Sequence, residues 1–119
     1  MSIFGVAATL IHPERRERSV ETELLVDTGA VYMLLPPDLV ETVGLSATVE
    51  QPVRLASGER VMYRLGEVRV RLGVDERTTV FWAGPLGCRP ILGAVALEQF
   101  GLAVDPRHQR LIPGPEATL

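Results

Sequence analysis

Residues 24–30 read LLVDTGA and place an acidic side chain directly after an apolar segment. The leucine and valine residues predict a buried β-strand that ends at Asp27. Because burial of an ionised carboxylate is costly unless the group is paired or hydrogen-bonded, a fold needs a reason to place one there. Gly29 allows the backbone to turn sharply beside the carboxylate, and Thr28 supplies a hydroxyl for neighbouring backbone groups. The stretch therefore predicts a turn that presents a carboxylate at the end of a core strand.

The composition predicts a single globular domain that spans residues 1–119, because a chain of this length can bury one core but not two. Hydrophobic residues make up 46% and charged residues 23%, and the net charge of -3 argues against a nucleic-acid partner. No apolar run of about 18 residues or more is present, so no membrane span is predicted. The first residues lack the positive charge of a secretory signal, and the lone Cys88 cannot form an intramolecular disulfide. A cytoplasmic protein is the default expectation.

Alternation of apolar and polar residues predicts a mainly β fold with one or two short helices. One helix is expected after the proline pair at 36–37, ending at Gly44, and another at 95–100, ending at Gly101. Two β-like arms around Ser57 and Gly58 predict a hairpin. Strands are expected at 3–10, 20–26, 52–56, 60–65, 66–72, 78–83, 102–104 and 110–112.

A second informative stretch is PILGA at residues 90–94, where apolar residues again lead into Gly-Ala. The succession of a strand, a Gly-Ala pair, a short helix and a Gly-Leu pair occurs first with these two pairs at 29–30 and 44–45. It occurs again with 93–94 and 101–102. This spacing indicates an internal near-duplication.

The order of these motifs resembles the retroviral-type, or retropepsin-like, aspartic proteases, in a single-domain form like the bacterial or archaeal members. The resemblance runs from about Val20 to Ile112 and implies a closed β-barrel of the acid-protease fold, with 1–19 as an N-terminal strand and turn and 113–119 as a frayed tail. Pepsin-like relatives carry two Asp-Thr-Gly triplets in a longer chain, whereas this chain has one. The resemblance therefore implies a homodimer that acts on a peptide or protein substrate.

The resemblance also implies a role for each motif residue. The two Asp27 carboxylates of the dimer would activate a water that attacks the peptide bond, without a cofactor or a metal. Neither histidine has a metal-ligand spacing, since His12 and His108 both lie in polar loops. The other residues are Thr28 and Gly29 as support of the active-site turn; Ala30, Ala56, Ser57 and Gly58 as substrate-binding or flap residues; and Ile91, Leu92 and Gly93 as structural neighbours of the site.

Other interpretations stay open at this point. Val31 stands where relatives often have a polar residue, and Ala94 where many carry Arg or Asp. This favours, as the alternative, a retropepsin-like dimerisation or peptide-binding module with little or no peptidase activity. A β-barrel with a coincidental Asp-Thr-Gly is a third interpretation, but it leaves both Ile91-Leu92-Gly93 and the internal repeat unexplained. Asp38 is expected to stabilise a helix start rather than to act as a second acid, and Trp82 to fill the core or an interface.

Overall fold

Strands form about half of the part of the chain that the structure, a computed structural model, describes, which is residues 4–119. Seven strands form one sheet in the order β1-β2-β7-β3-β6-β5-β4, and β8 pairs with β9 in a separate ribbon. Within residues 4–119 the elements are β1 (Phe4–Ile11), β2 (Ser19–Val26), β3 (Met33–Leu35), α1 (Pro37–Val43), β4 (Ala47–Arg54), β5 (Arg60–Leu72), β6 (Asp75–Ala83), β7 (Ile91–Leu92), α2 (Ala94–Gln99), β8 (Leu102–Asp105) and β9 (Arg110–Pro113).

The large sheet bends back on itself because β1 pairs with two strands. It runs antiparallel to β2 along its whole length, and its last residues, Thr9–Ile11, also pair with β5. Apolar side chains from the strands and from both helices fill the space that this curvature encloses. The largest fully buried side chains are Phe81, Leu10, Ile11, Leu24, Met33, Leu35 and Leu92.

The short strand β7 lies between β2 and β3 and determines where the end of β2 is held. It pairs in parallel with β2, with Val26 opposite Leu92, and antiparallel with β3, with Leu34 opposite Ile91. A parallel pair cannot be joined by a tight turn, so β7 must come from a distant part of the chain. The end of β2, and with it Asp27, is therefore fixed by residues more than sixty positions further on.

Both short helices end as the sequence predicts. Pro37 occupies the first turn of α1, and Gly44 follows its last residue in the left-handed conformation, with φ of 77°. Gly101, two residues after the end of α2, also has a positive φ of 67°. The prediction of a mainly β fold with short helices is confirmed.

The structure corrects two details of the predicted elements and leaves a third partly outside the described residues. The segments 60–65 and 66–72 form one strand, because Gly66 continues the pairing and its lack of a side chain admits the Phe81 ring and the Ser46 carbonyl. The repeat is also less regular than predicted, since β3 separates Ala30 from α1 whereas Gly93 leads directly into α2. The predicted first strand at 3–10 begins at Phe4 in the described residues, and position 3 lies outside them.

In the described part of the chain, no helix has the length and apolar character needed to cross a membrane.

Candidate active site

The Asp27 turn is held by backbone hydrogen bonds on both sides of the carboxylate. The Asp27 amide donates to the Leu92 carbonyl at 3.1 Å, which continues the β2–β7 pairing by one residue. The Gly29 amide donates to Asp27 Oδ1 at 2.9 Å, and the Ala30 amide donates to the Asp27 carbonyl at 3.2 Å. The half-buried carboxylate is thus fixed by its own turn and keeps its second oxygen for other partners.

The N-terminus of α2 holds the following residues of the turn. The Ala94 amide donates to the Ala30 carbonyl at 2.8 Å, and the Val95 amide donates to the Val31 carbonyl at 3.0 Å. The first amides of a helix have no partner within the helix, so the turn satisfies donors that would otherwise be unpaired. The sequence placed Ile91, Leu92 and Gly93 beside the turn, but it did not reveal these two amides.

Gly93 is buried between the start of α2 and the residues that follow the Asp27 turn. A Cβ atom at this position would lie 2.4 Å from the Tyr32 carbonyl oxygen and 2.8 Å from that of Ala30. Both obstacles are backbone atoms that cannot move without displacing the turn. A glycine at this position therefore allows α2 to approach the Asp27 turn.

A cavity of about 600 Å³ lies between the Asp27 turn and the β4–β5 hairpin. Of the predicted site residues, Asp27, Gly29, Ala30, Ala56 and Ile91 line it. The structure places Thr28 on the exposed surface of the turn, Leu92 and Gly93 behind it, and Ser57 and Gly58 at the hairpin tip. The remaining lining residues are Val31, Tyr32, Leu34, Gln51, Pro52, Val53, Arg54, Leu55, Tyr63 and Trp82.

The tip of the β4–β5 hairpin is a compact turn over residues 55–59. The Leu55 amide donates to the Glu59 carbonyl and the Gly58 amide to the Leu55 carbonyl, each at 2.8 Å. Gly58 has a φ of 91°, a conformation that favours glycine. Arg54 Nη1 donates to the Gly58 carbonyl at 3.0 Å and so braces the tip from the neighbouring arm.

This geometry agrees with comparisons to known proteins. A family model described as aspartyl protease matches residues 16–93, more than half of the chain, and the match includes both the Asp27 turn and Gly93. The chain belongs to the aspartyl protease family. Its fold is similar to the crystal structure of a retropepsin-like aspartic protease from Rickettsia conorii, with a TM-score of 0.59. The two sequences are 20% identical, and the similarity covers 87% of this chain and 76% of that chain. Among curated proteins, no sequence gives a match. The predicted resemblance to retropepsin-like aspartic proteases is confirmed.

Part of the site of this member of the aspartyl protease family could not be predicted from the sequence. Tyr32, Tyr63 and Trp82 meet on one wall of the cavity, where the Tyr32 and Trp82 rings make an edge-to-face contact at 5.1 Å. Trp82 was expected to fill the core or an interface, but it lies half-buried on the cavity wall. The available signal was strand alternation, because Phe81 points into the core and the next side chain must face the other way.

Two titratable groups at or beside this wall have raised pKa values. Burial raises the pKa of the Tyr63 hydroxyl, with smaller contributions from Cys88 and Glu59. Burial also raises the pKa of the Cys88 thiol, and the charge of Asp38 acts in the same direction. A thiol with a raised pKa is a poor nucleophile, in agreement with the carboxylate chemistry of the family.

Within residues 4–119, no group of three or more His, Cys, Asp or Glu side chains is arranged to hold a metal ion. The two histidines serve local turns. His12 Nδ1 accepts hydrogen bonds from the backbone amides of Glu14 and Arg15. His108 Nδ1 lies 2.8 Å from Asp105 Oδ2.

Proposed function

We propose that this aspartyl protease is a homodimeric endopeptidase in which Asp27 of each subunit supplies one of the two catalytic carboxylates. The observation that carries the proposal is the position of Asp27 in a backbone-fixed turn on the wall of a cavity of about 600 Å³. Among the described residues that line this cavity, Asp27 is the only acid. A mechanism with two carboxylates therefore needs a second copy of the chain.

The proposed chemistry follows from the approach of two like charges. Two carboxylates a few ångströms apart cannot both ionise easily, so the pair holds one proton. The ionised carboxylate takes a proton from a bound water while the neutral one protonates the peptide carbonyl. The water then attacks the carbonyl carbon directly, without a covalent enzyme intermediate. We expect the highest activity at acidic to mildly acidic pH, where this singly protonated state is populated.

The remaining site residues support this chemistry in the proposed dimer. Thr28, exposed beside Asp27, hydrogen-bonds across the twofold axis, and Gly29 leaves room for the substrate backbone. The β4–β5 hairpin acts as a flap that moves as a unit, with Ala56 lining the cleft and Ser57 and Gly58 at its tip. The β1–β5 pairing supports a closed barrel as the rigid base of this arrangement.

The first prediction concerns Asp27. Asp27→Asn should reduce kcat for an extended apolar peptide by at least about a thousandfold, because it removes the ionisable groups of both subunits. The matched control is Asp38→Asn, an exposed carboxylate in the first turn of α1, which should keep wild-type activity. Peptide cleavage by purified Asp27→Asn at the wild-type rate would refute the proposed role.

A second candidate function is a peptide-binding or dimerisation module with little peptidase activity. Val31 favours it, because this apolar side chain beside the catalytic turn is 52% exposed where relatives often have a polar group. Such a module would bind a pepstatin-like transition-state mimic weakly, and independently of Asp27. Tight binding that is lost in Asp27→Asn would favour the enzyme.

A further inference from the structure

Part of the cavity lining is built from aromatic rings, one of them on the β5 arm of the β4–β5 hairpin. Trp82 lies at the centre of this part of the lining, with the Tyr32 ring at 5.1 Å and the Tyr63 ring at 6.4 Å. We refer to Tyr32, Tyr63 and Trp82 as the aromatic wall. All three line the same cavity as Asp27.

Strand pairing brings these three residues together from separate parts of the chain. Trp82 on β6 lies opposite Leu34 of β3 and Leu65 of β5. Tyr63 lies two residues before Leu65 and so faces the same side of β5, whereas Tyr32 immediately precedes β3. The wall is therefore built on three strands of the sheet, one of which, β5, is also an arm of the β4–β5 hairpin.

A hydrogen bond fixes the plane of the indole ring. Trp82 Nε1 donates to Gln51 Oε1 at 2.7 Å, and Gln51 lies on β4 directly opposite Tyr63. The indole has one N–H donor, and this bond uses it. A ligand at the wall therefore meets no free indole donor, and the polar groups that the wall itself offers are the two tyrosine hydroxyls.

The charges around the cavity also favour an uncharged occupant. Of the described residues that line the cavity, only Asp27 and Arg54 are charged, and Arg54 already donates to the Gly58 carbonyl. A cationic side chain at the aromatic wall could pair only with Asp27, which the proposed mechanism already uses to activate the water, and an anionic one only with Arg54. An aromatic side chain would instead add one more ring to a set already arranged edge-to-face and tilted.

We propose that the aromatic wall is the specificity-determining subsite of this protein for an aromatic side chain of the substrate peptide, and that Gln51 is the positioning residue that orients Trp82. This inference rests on the proposed endopeptidase function. It adds a link between the hairpin and the subsite, because the Gln51–Trp82 bond joins β4 to β6.

Trp82 is the single tryptophan of the chain, so its fluorescence reports on the wall directly. The probes are capped hexapeptides that differ only in whether their two central residues are Phe, Leu or Ala. In full-length Asp27→Asn protein, which binds without cleaving, the Phe peptide should change the Trp82 emission at the lowest concentration and the Ala peptide at the highest. Calorimetric binding of the Phe peptide with unchanged Trp82 emission would overturn the proposal.

Cleavage kinetics test the same wall in the active protein. Trp82→Ala should lower the Phe-to-Ala ratio of kcat/KM by roughly tenfold or more, mainly through KM, because only the aromatic peptide loses its contact surface. The matched control is Met62→Ala, which removes an exposed side chain on the other face of β5 and should leave the ratio unchanged. A folded Trp82→Ala protein with the wild-type ratio would overturn the proposal.

The positioning role of Gln51 has its own signature. Gln51→Leu should lower the Phe-to-Ala ratio of kcat/KM. Gln51→Glu keeps a hydrogen-bond acceptor for the indole N–H and should keep the wild-type ratio. In a Trp82→Phe background, which has no indole donor, Gln51→Leu should have no further effect on the ratio. An equal effect of Gln51→Leu in both backgrounds would overturn the positioning role. If the wild-type protein bound the Phe peptide through the wall but did not cleave it, the subsite would be supported and the endopeptidase function contradicted.

Discussion

At the scale of single residues, Gly93 shows how closely the site depends on backbone contact. Two carbonyl oxygens of the Asp27 turn occupy the space that a Cβ atom would need. The hydrogen bonds from Ala94 and Val95 to the same turn require this approach. Position 93 therefore requires a residue without a side chain so that the Asp27 turn can pack against it. This requirement does not involve any contact with substrate.

We predict that Gly93→Ala lowers the free energy of unfolding by about 1–3 kcal/mol, because α2 or the turn must move to admit the methyl group. Urea unfolding followed by circular dichroism measures the change. The matched control is Gly5→Ala, where the nearest atoms belong to the flexible Glu23 side chain, which can move away at little cost. Equal stability of Gly93→Ala and the wild type would show that the close approach does not matter.

Sequence reasoning predicted the Asp27 turn but not the aromatic wall, and the difference has a physical reason. The turn is local, because a strand, a carboxylate and a glycine lie next to one another in the chain. The wall depends on strand pairing, since Tyr32, Tyr63 and Trp82 come together only through the register of β3, β5 and β6. Alternation along one strand indicates which face a side chain occupies, but not which other strand lies beside it.

At the scale of elements, one acidic side chain links three parts of the fold. Glu76 at the start of β6 accepts bidentate bonds from Arg16 at 2.9 and 3.0 Å, and further bonds from Arg69 and Arg71 of β5. The hydrogen bonds from Arg16 and Arg69 hold the pKa of the Glu76 carboxyl well below its usual range. The β1–β2 connection is thereby tied to the β5–β6 hairpin.

This lowered pKa predicts a pH-dependent contribution to stability. A carboxyl whose pKa is lower in the folded state stabilises the fold above its unfolded value, here 4.5, and this stabilisation is lost as the pH falls below that value. Glu76→Gln should therefore lower Tm at pH 7 by a few degrees, and the difference from the wild type should shrink as the pH falls below about 4. Thermal unfolding from pH 7 to pH 3 measures it.

The matched control for this prediction is Glu67→Gln, on the same hairpin. Glu67 is exposed on β5 and makes no ion pair with another described residue. Its Tm difference from the wild type should be small at every pH. A Glu76→Gln difference that stayed constant from pH 7 to pH 3 would contradict the linkage to ionisation.

The elements of the β4–β5 hairpin show what sequence patterns predict well and what they miss. The Ser-Gly turn was recognised because glycine at a hairpin tip has a local conformational reason, which the φ of Gly58 bears out. The length of β5 was underestimated, because Gly66 was taken as a strand boundary. Gly66 is instead a point of close packing against Phe81, and such contacts depend on the tertiary fold.

At the scale of the whole molecule, the proposed mechanism makes each chain half of an aspartic protease site. Each copy contains one Asp-Thr-Gly triplet, and Asp27 is the only acid among the described residues around the cavity. If the mechanism is as proposed, two identical chains must pair before either can cleave a peptide. A shared site differs from a complete site in a single chain in one testable way. An inactive subunit that pairs with a wild-type subunit abolishes the activity of the dimer.

The most direct measurement mixes wild-type protein with the Asp27→Asn variant under conditions that allow subunits to exchange. At equal amounts, and at a total concentration that keeps the chains paired, random pairing should reduce peptidase activity per wild-type subunit to about half, because mixed dimers lack one carboxylate. A larger excess of the variant should reduce it further. Activity per wild-type subunit that stayed constant at every mixing ratio would contradict the account.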